Sequence, residues 1–129
     1  MRLCLMTDSL GALPFEEMLH TSKSLGYESV EIATGNWSTA PHLDLDALLE
    51  GEKKRNEFIE TMEKAGLQLE ALNCSGSQLA PNEEGKAHQL VVEKTLKLAE
   101  QLNVKKIIMM SGLPGGNPND TSPNWITTS

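Results

Sequence analysis

Three absences narrow what this chain can be. It has no excess of positive charge: 11 Lys and Arg stand against 18 Asp and Glu, a net charge of -7. Nucleic-acid backbones are held by basic patches, so the composition gives no footprint for DNA or RNA. It has no apolar run long enough to span a bilayer. The N-terminal run Leu3-Cys4-Leu5-Met6 is far too short and is soon followed by Asp8. The same start lacks the charged lead, long apolar region and cleavage site of a secretory signal. The expectation is a cytoplasmic chain with no membrane and no nucleic-acid partner.

Metal-binding spacings are also missing. No Cys-x-x-Cys and no His-x-x-x-His occurs, so no zinc site follows from the pattern. The two cysteines, Cys4 and Cys74, lie in strand-like runs and are expected to be buried free thiols. His20 and His88 fall on helical stretches and read as surface or interface residues. His42 falls in a loop between a strand and a helix, so it is the functional candidate of the three. No nucleophile stands beside a base. Ser9, Ser75, Ser77 and Ser111 are loop serines, which turns favour for their local hydrogen bonds.

What the chain does have is alternation. Short apolar runs at 2–7, 29–34, 67–73 and 104–110 are separated by stretches with helical spacing. The first such stretch covers 14–25, with Pro14 at its start and Gly26 at its stop. The second begins near Asp44 or Asp46 and runs as one helix to Ala65, its charged middle facing water and Gly66 ending it. The third begins near Asn82, with Glu83 and Glu84 suited to the helix dipole. Its apolar stripe is Ala87, Leu90, Val91, Leu98, Ala99 and Leu102, and Asn103 closes it. The order βαβαβαβ predicts an α/β fold with a parallel sheet covered by helices.

Periodicity alone leaves two outcomes open, a doubly wound sheet or a barrel. A nucleotide-binding doubly wound fold wants a glycine fingerprint after its first strand. Here that turn reads Thr7-Asp8-Ser9-Leu10-Gly11-Ala12. The one dense glycine run, Gly112-Leu113-Pro114-Gly115-Gly116, follows the fourth strand and is interrupted by proline.

In either outcome function gathers at the carboxyl ends of the strands. That points to Asp8, Glu31, the loop with Trp37 and His42, Asn73-Cys74-Ser75, and Ser111. Glu31 lies between Val30 and Ile32, where a carboxylate is costly unless paired. Two readings stay open for it: a pocket residue for a polar substrate, or a structural carboxylate satisfied by a neighbour such as Arg2. Glu70, nearer the middle of its strand, reads as structural. Trp37 and Trp125 suit either stacking on a sugar or local packing.

Several segments together are familiar. Gly26-Tyr27-Glu28-Ser29-Val30-Glu31-Ile32 resembles the second-strand signature of the sugar phosphate isomerase/epimerase family, the xylose-isomerase-like TIM barrels. Pro41-His42-Leu43-Asp44, Ala71-Leu72-Asn73-Cys74-Ser75-Gly76 and Met110-Ser111-Gly112-Leu113-Pro114-Gly115-Gly116 are similar to stretches in one subgroup of it. The resemblance implies that residues 1–129 are a single partial domain. That domain, the resemblance implies, is the first half of a TIM (β/α)8 barrel, with 111–129 as the loop after its fourth strand. It implies a sugar or sugar-phosphate substrate and proton transfer next to a carbonyl. A divalent metal (Mn, Mg, Co or Zn) is implied for the complete protein, held by residues of later strands and by none of this chain. What it implies for this chain is pocket wall: Glu31, His42, Asn73, Ser75 and Ser111.

Relatives often carry Asn and His in the third loop, where this chain has Ser77 and Ala80, and that bears on which sugar is bound. The zinc-dependent abasic-site endonucleases share the fold but use histidines at the ends of the third and fourth strands. Asn73-Cys74-Ser75 and Met110-Ser111-Gly112 supply none. Two other readings stand beside the isomerase: a sugar-acid dehydratase of the same fold, and a non-catalytic binding or assembly half-barrel. Four strands alone leave two open sheet edges, so the isolated chain is expected to be inactive and to self-associate through them.

Overall fold

The computed structural model describes residues 1–111 and residue 119. The glycine run 112–116, Trp125 and nearly all of the expected tail lie outside the described residues. The described residues contain four strands: β1 (Cys4–Met6), β2 (Ser29–Ala33), β3 (Gln68–Asn73) and β4 (Ile107–Ile108). Between them run α1 (Phe15–Ser24), α2 (Leu45–Glu50), α3 (Glu52–Lys64) and α4 (Glu83–Leu102), and a short 3-10 turn, Thr7–Leu10, follows β1.

Each unit stops its helix the same way. Gly26 and Gly66 take φ of 94° and 75°, and Asn103 takes 55°. This left-handed residue turns the chain back, and the next amide bonds the helix end: Tyr27 N to Ser22 O, Leu67 N to Met62 O, Val104 N to Ala99 O. The strand then begins within a few residues. Helix starts are also set locally. Asp44 accepts from Ala47 N at 3.1 Å and Asn82 accepts from Gly85 N at 3.0 Å.

The expected single helix from Asp44 to Ala65 is in fact two. Gly51 sits between them in an extended conformation, φ -118° and ψ 107°. Arg55, at the start of the second helix, donates to the carbonyls of Leu48 and Leu49 at 2.7 and 3.0 Å. It thereby satisfies acceptors that the break leaves without helical partners.

The sheet is entirely parallel, in the order β1-β2-β3-β4. A doubly wound sheet reverses direction at a switch point, and this order does not reverse. Right-handed crossovers between successive neighbours put all the helices on one face. The core lies between that face and the helices. Val30, Ile32 and Leu72 meet Met18, Leu19, Phe58, Met62 and Leu98 there. Phe15 of α1 stacks on Phe58 of α3 with ring centroids 4.9 Å apart.

Two details differ from expectation. Ala87 and Leu90, expected in the apolar stripe of α4, are exposed, Leu90 by 51%. The inward face instead runs through Val91, Thr95, Leu98, Ala99 and Leu102, and buried Thr95 shares a 2.7 Å hydrogen bond with Thr34 after β2. Cys4, expected to be buried, is exposed, because β1 is a sheet edge; Cys74 is buried as expected.

Candidate functional site

Side chains alternate along a strand, so the neighbours of Val30 and Ile32 turn away from the helices. Glu31 is on that open face. Next to it β3 carries a bulge: Val30 pairs with Leu69 but Glu31 pairs with Ala71. The extra residue bends the strand and brings Asn73 toward Glu31. Asn73 Nδ2 donates to Glu31 Oε2 at 2.6 Å. Asn73 Oδ1 accepts from Ser75 N at 2.9 Å, which fixes the amide and so the carboxylate. Arg2 is not the partner of Glu31. The second carboxylate oxygen, Oε1, takes no hydrogen bond among the described residues.

The loop after β2 and the loop after β3 are tied together around this pair. Trp37 N donates to Ser75 O at 3.1 Å, and Asn36 Nδ2 donates to Cys74 O at 2.8 Å and to His88 O at 3.3 Å. Trp37 itself is 47% exposed. From the loop after β1, Asp8 Oδ2 accepts from Ser38 Oγ at 2.5 Å. Gln78 Nε2 donates to Met110 O beyond β4, so the third loop also reaches the fourth strand. Buried oxygens of Asp8, Asn36 and Gln78 have no hydrogen-bond partner among the described residues.

Of the five residues expected in the pocket wall, the structure brings Glu31, Asn73 and Ser75 together. Ser111 is exposed beyond β4. His42 is a correction. It is only 5% exposed, and both ring nitrogens are used internally. Nε2 lies 2.9 Å from Leu13 O and must donate to it, and in the neutral ring Nδ1 then accepts from Thr7 Oγ1 at 3.0 Å. No ring nitrogen remains for a ligand, and His42 pins the first loop to the second. His88, expected as a surface or interface residue, is a second such strut: its Nδ1 accepts from Ser77 N at 2.8 Å. Neither role has a signature in the sequence, because both depend on loops meeting in space.

The opposite ends of the strands are built differently. Arg2 reaches across β2 to Gln68, at 2.5 Å, and to Glu70, at 3.5 Å. Lys106 of the fourth run also bonds Glu70. The Lys106 hydrogen bond and charge, with a smaller contribution from Arg2, hold the Glu70 carboxyl below its ordinary range. Glu70 is thus structural, as its mid-strand setting suggested. On the helix side, burial pushes the Cys74 thiol up, which leaves it an unreactive packing residue.

Among the described residues no three of His, Cys, Asp and Glu are placed to hold a metal ion. The described residues therefore do not form a metal cage by themselves. Among them, too, no helix is long and apolar enough to cross a membrane.

No family model matches the chain. Over 127 residues, 98% of its length, it is 55% identical to a Bacillus subtilis (strain 168) protein named "Uncharacterized protein YfiH". Those residues make up 41% of the relative, so the chain spans about two fifths of that protein's length.

Proposed function

We propose that this chain is the first half of a (β/α)8 barrel and forms one side of a sugar pocket. The longer protein would be a divalent-metal-dependent sugar or sugar-phosphate isomerase or epimerase. The observation that carries the reading is the Glu31–Asn73 pair, in an unreversed parallel sheet with its helices on one face. Barrel enzymes place their chemistry at the carboxyl ends of the strands and their stabilising contacts at the other end. The polar pair and the tied loops lie at the first, and the Arg2–Glu70–Lys106 contacts at the second. The relative's greater length leaves room for the other four units, since such barrels take roughly 250 residues.

In this reading Glu31 Oε1 accepts from a sugar hydroxyl while Asn73 holds the carboxylate still. Exposed Trp37 offers an apolar face to the sugar ring. The metal ligands belong to the later strands, and no step of the reaction is assigned to residues of this chain.

The test uses the full-length Bacillus relative. It is incubated in D₂O with a panel of ketoses, aldoses and their phosphates, with and without Mn²⁺, Mg²⁺, Co²⁺ or Zn²⁺. The expected result is metal-dependent entry of deuterium at the carbon next to the carbonyl, with isomer formation. Loss of water from a sugar acid instead would make the protein a dehydratase. Neither reaction with any metal would leave a binding half-barrel.

A further inference from the structure

The third loop, from Cys74 to Gln78, is fastened from three elements. Asn73 Oδ1 of β3 accepts from Ser75 N. From the loop after β2, Trp37 N donates to Ser75 O and Asn36 Nδ2 donates to Cys74 O. From α4, Gln89 Nε2 donates to Gln78 O at 2.7 Å, and His88 Nδ1 accepts from Ser77 N at 2.8 Å. These fastenings involve neither outer strand. Of the partner side chains, only an imidazole changes charge near neutrality.

The His88 bond has one chemical condition. A backbone N–H can only donate, so Nδ1 must carry no proton, and the neutral ring holds its proton on Nε2. Once Nδ1 is protonated it too can only donate, and two donors then face each other. Ser77 is only 2% exposed, so its N–H has no solvent to turn to while the loop stays in place. His88 itself is only partly buried, so protons reach it.

A second acceptor stands beside the ring. Asn36 Nδ2 is committed to Cys74 O and His88 O, at 2.8 and 3.3 Å, and its buried Oδ1 has no hydrogen-bond partner among the described residues. Both groups border the space that Gly76 leaves open: a Cβ there would lie 2.7 Å from His88 Nδ1 and 3.1 Å from Asn36 Cγ. A protonated Nδ1 can satisfy that oxygen, and a neutral one cannot.

We propose that His88 is an acid-released latch on the third loop: neutral, it holds Ser77; protonated, it lets Ser77 go and turns to Asn36 Oδ1. Few other charges bear on the ring. Residues 34–41 of the second loop and 74–82 of the third contain no Asp, Glu, Lys, Arg or His. Their one titratable group is the Cys74 thiol, which burial pushes up and keeps neutral. Asp8 of the first loop ends on Ser38. On α4, Glu84 stands one turn before His88, and Val91 and Val92 stand one turn after it. Release at Ser77 slackens Ser75, and through Asn73 the Glu31 carboxylate. That last consequence, a site that loosens toward acid, rests on the sugar-pocket reading; the latch does not.

The test reads Ser77 amide exchange as a protection factor, which removes the intrinsic effect of pH on exchange. Protection is expected to fall about tenfold between about pH 8 and about pH 5, the loss of one hydrogen bond, while amides inside α1 keep theirs. His88→Asn puts a non-titrating oxygen near the place of Nδ1 and should hold Ser77 at both ends of that range. His88→Ala should leave Ser77 exchanging fast at both. Protection that does not change with pH in the unaltered protein overturns the proposal. An equal acid loss in His88→Asn also overturns it, because the titrating group is then another one. So does a neutral His88 ring with its proton on Nδ1 by nitrogen NMR. None of these outcomes touches the sugar reading, whose test is turnover.

Discussion

Asn73 of β3 donates to the carboxylate of Glu31 on β2 at 2.6 Å, and the same amide accepts from the backbone of Ser75. One side chain thus orients a carboxylate and a loop together. Asn73→Ala removes both bonds and leaves a half-buried carboxylate and an amide unpaired. A loss of about 1–3 kcal/mol is expected in urea unfolding. Glu31→Gln keeps an oxygen for Asn73 and should cost about 1 kcal/mol or less, yet remove turnover where the complete barrel is assayed. Full activity with lowered stability in Glu31→Gln would make the residue structural.

His42 bridges Thr7 and Leu13 through its two ring nitrogens. His42→Ala leaves a buried hydroxyl and a carbonyl without partners, so stability should fall by about 2 kcal/mol. A second variant, His42→Gln, should recover part of that. A ligand role would show the reverse, with stability unchanged and only binding lost.

Gly76 has no room for a side chain. A Cβ there would lie 2.7 Å from His88 Nδ1 and 2.8 Å from Asn36 Cβ. That nitrogen is the acceptor for Ser77 N. Gly76→Ala should therefore unseat the third loop and cost about 1–3 kcal/mol. Amide exchange should rise at residues 75–78 and stay unchanged in α1.

Glu70 has a lowered pKa because of Lys106 first and Arg2 second. A carboxyl depressed in the folded state stabilises the fold above its unfolded pKa, and the gain is lost as pH falls through the folded value. The unaltered chain should lose stability as the pH falls below the ordinary glutamate range and through the lower folded value, and Glu70→Gln should show a flatter acid limb. The difference between them should shrink in high salt, since the pairs are solvent-facing. Parallel acid limbs would contradict the assignment.

Much of the fold was legible because its signals are local. Gly26, Gly66 and Asn103 each end a helix as their residue types suggest, and alternation of strands and helices gave the parallel sheet. The break at Gly51 was not legible, because Leu45–Leu49 and Phe58–Met62 keep helical spacing on both sides of it. Leu90 and Val91 both fit the stripe by spacing, and only packing shows that Val91 faces the core while Leu90 does not. At the site, Glu31 stood out as a charge within an apolar strand. Its partner is Asn73 rather than a neighbour such as Arg2, and the bulge in β3 that moves Asn73 into reach leaves no mark in the sequence. His42 was drawn to the pocket by its loop, but burial and two internal partners turn it into a strut.

The most direct measurement is a crystal structure of the full-length Bacillus relative soaked in Mn²⁺, with anomalous scattering to find the metal. The account predicts that its strands continue in sequence past the counterpart of β4, close an eight-stranded barrel, and surround a manganese peak at the carboxyl-end mouth that the Glu31 position faces. A fifth strand on the outer side of β1, or a closed barrel with no metal in that mouth, would contradict it.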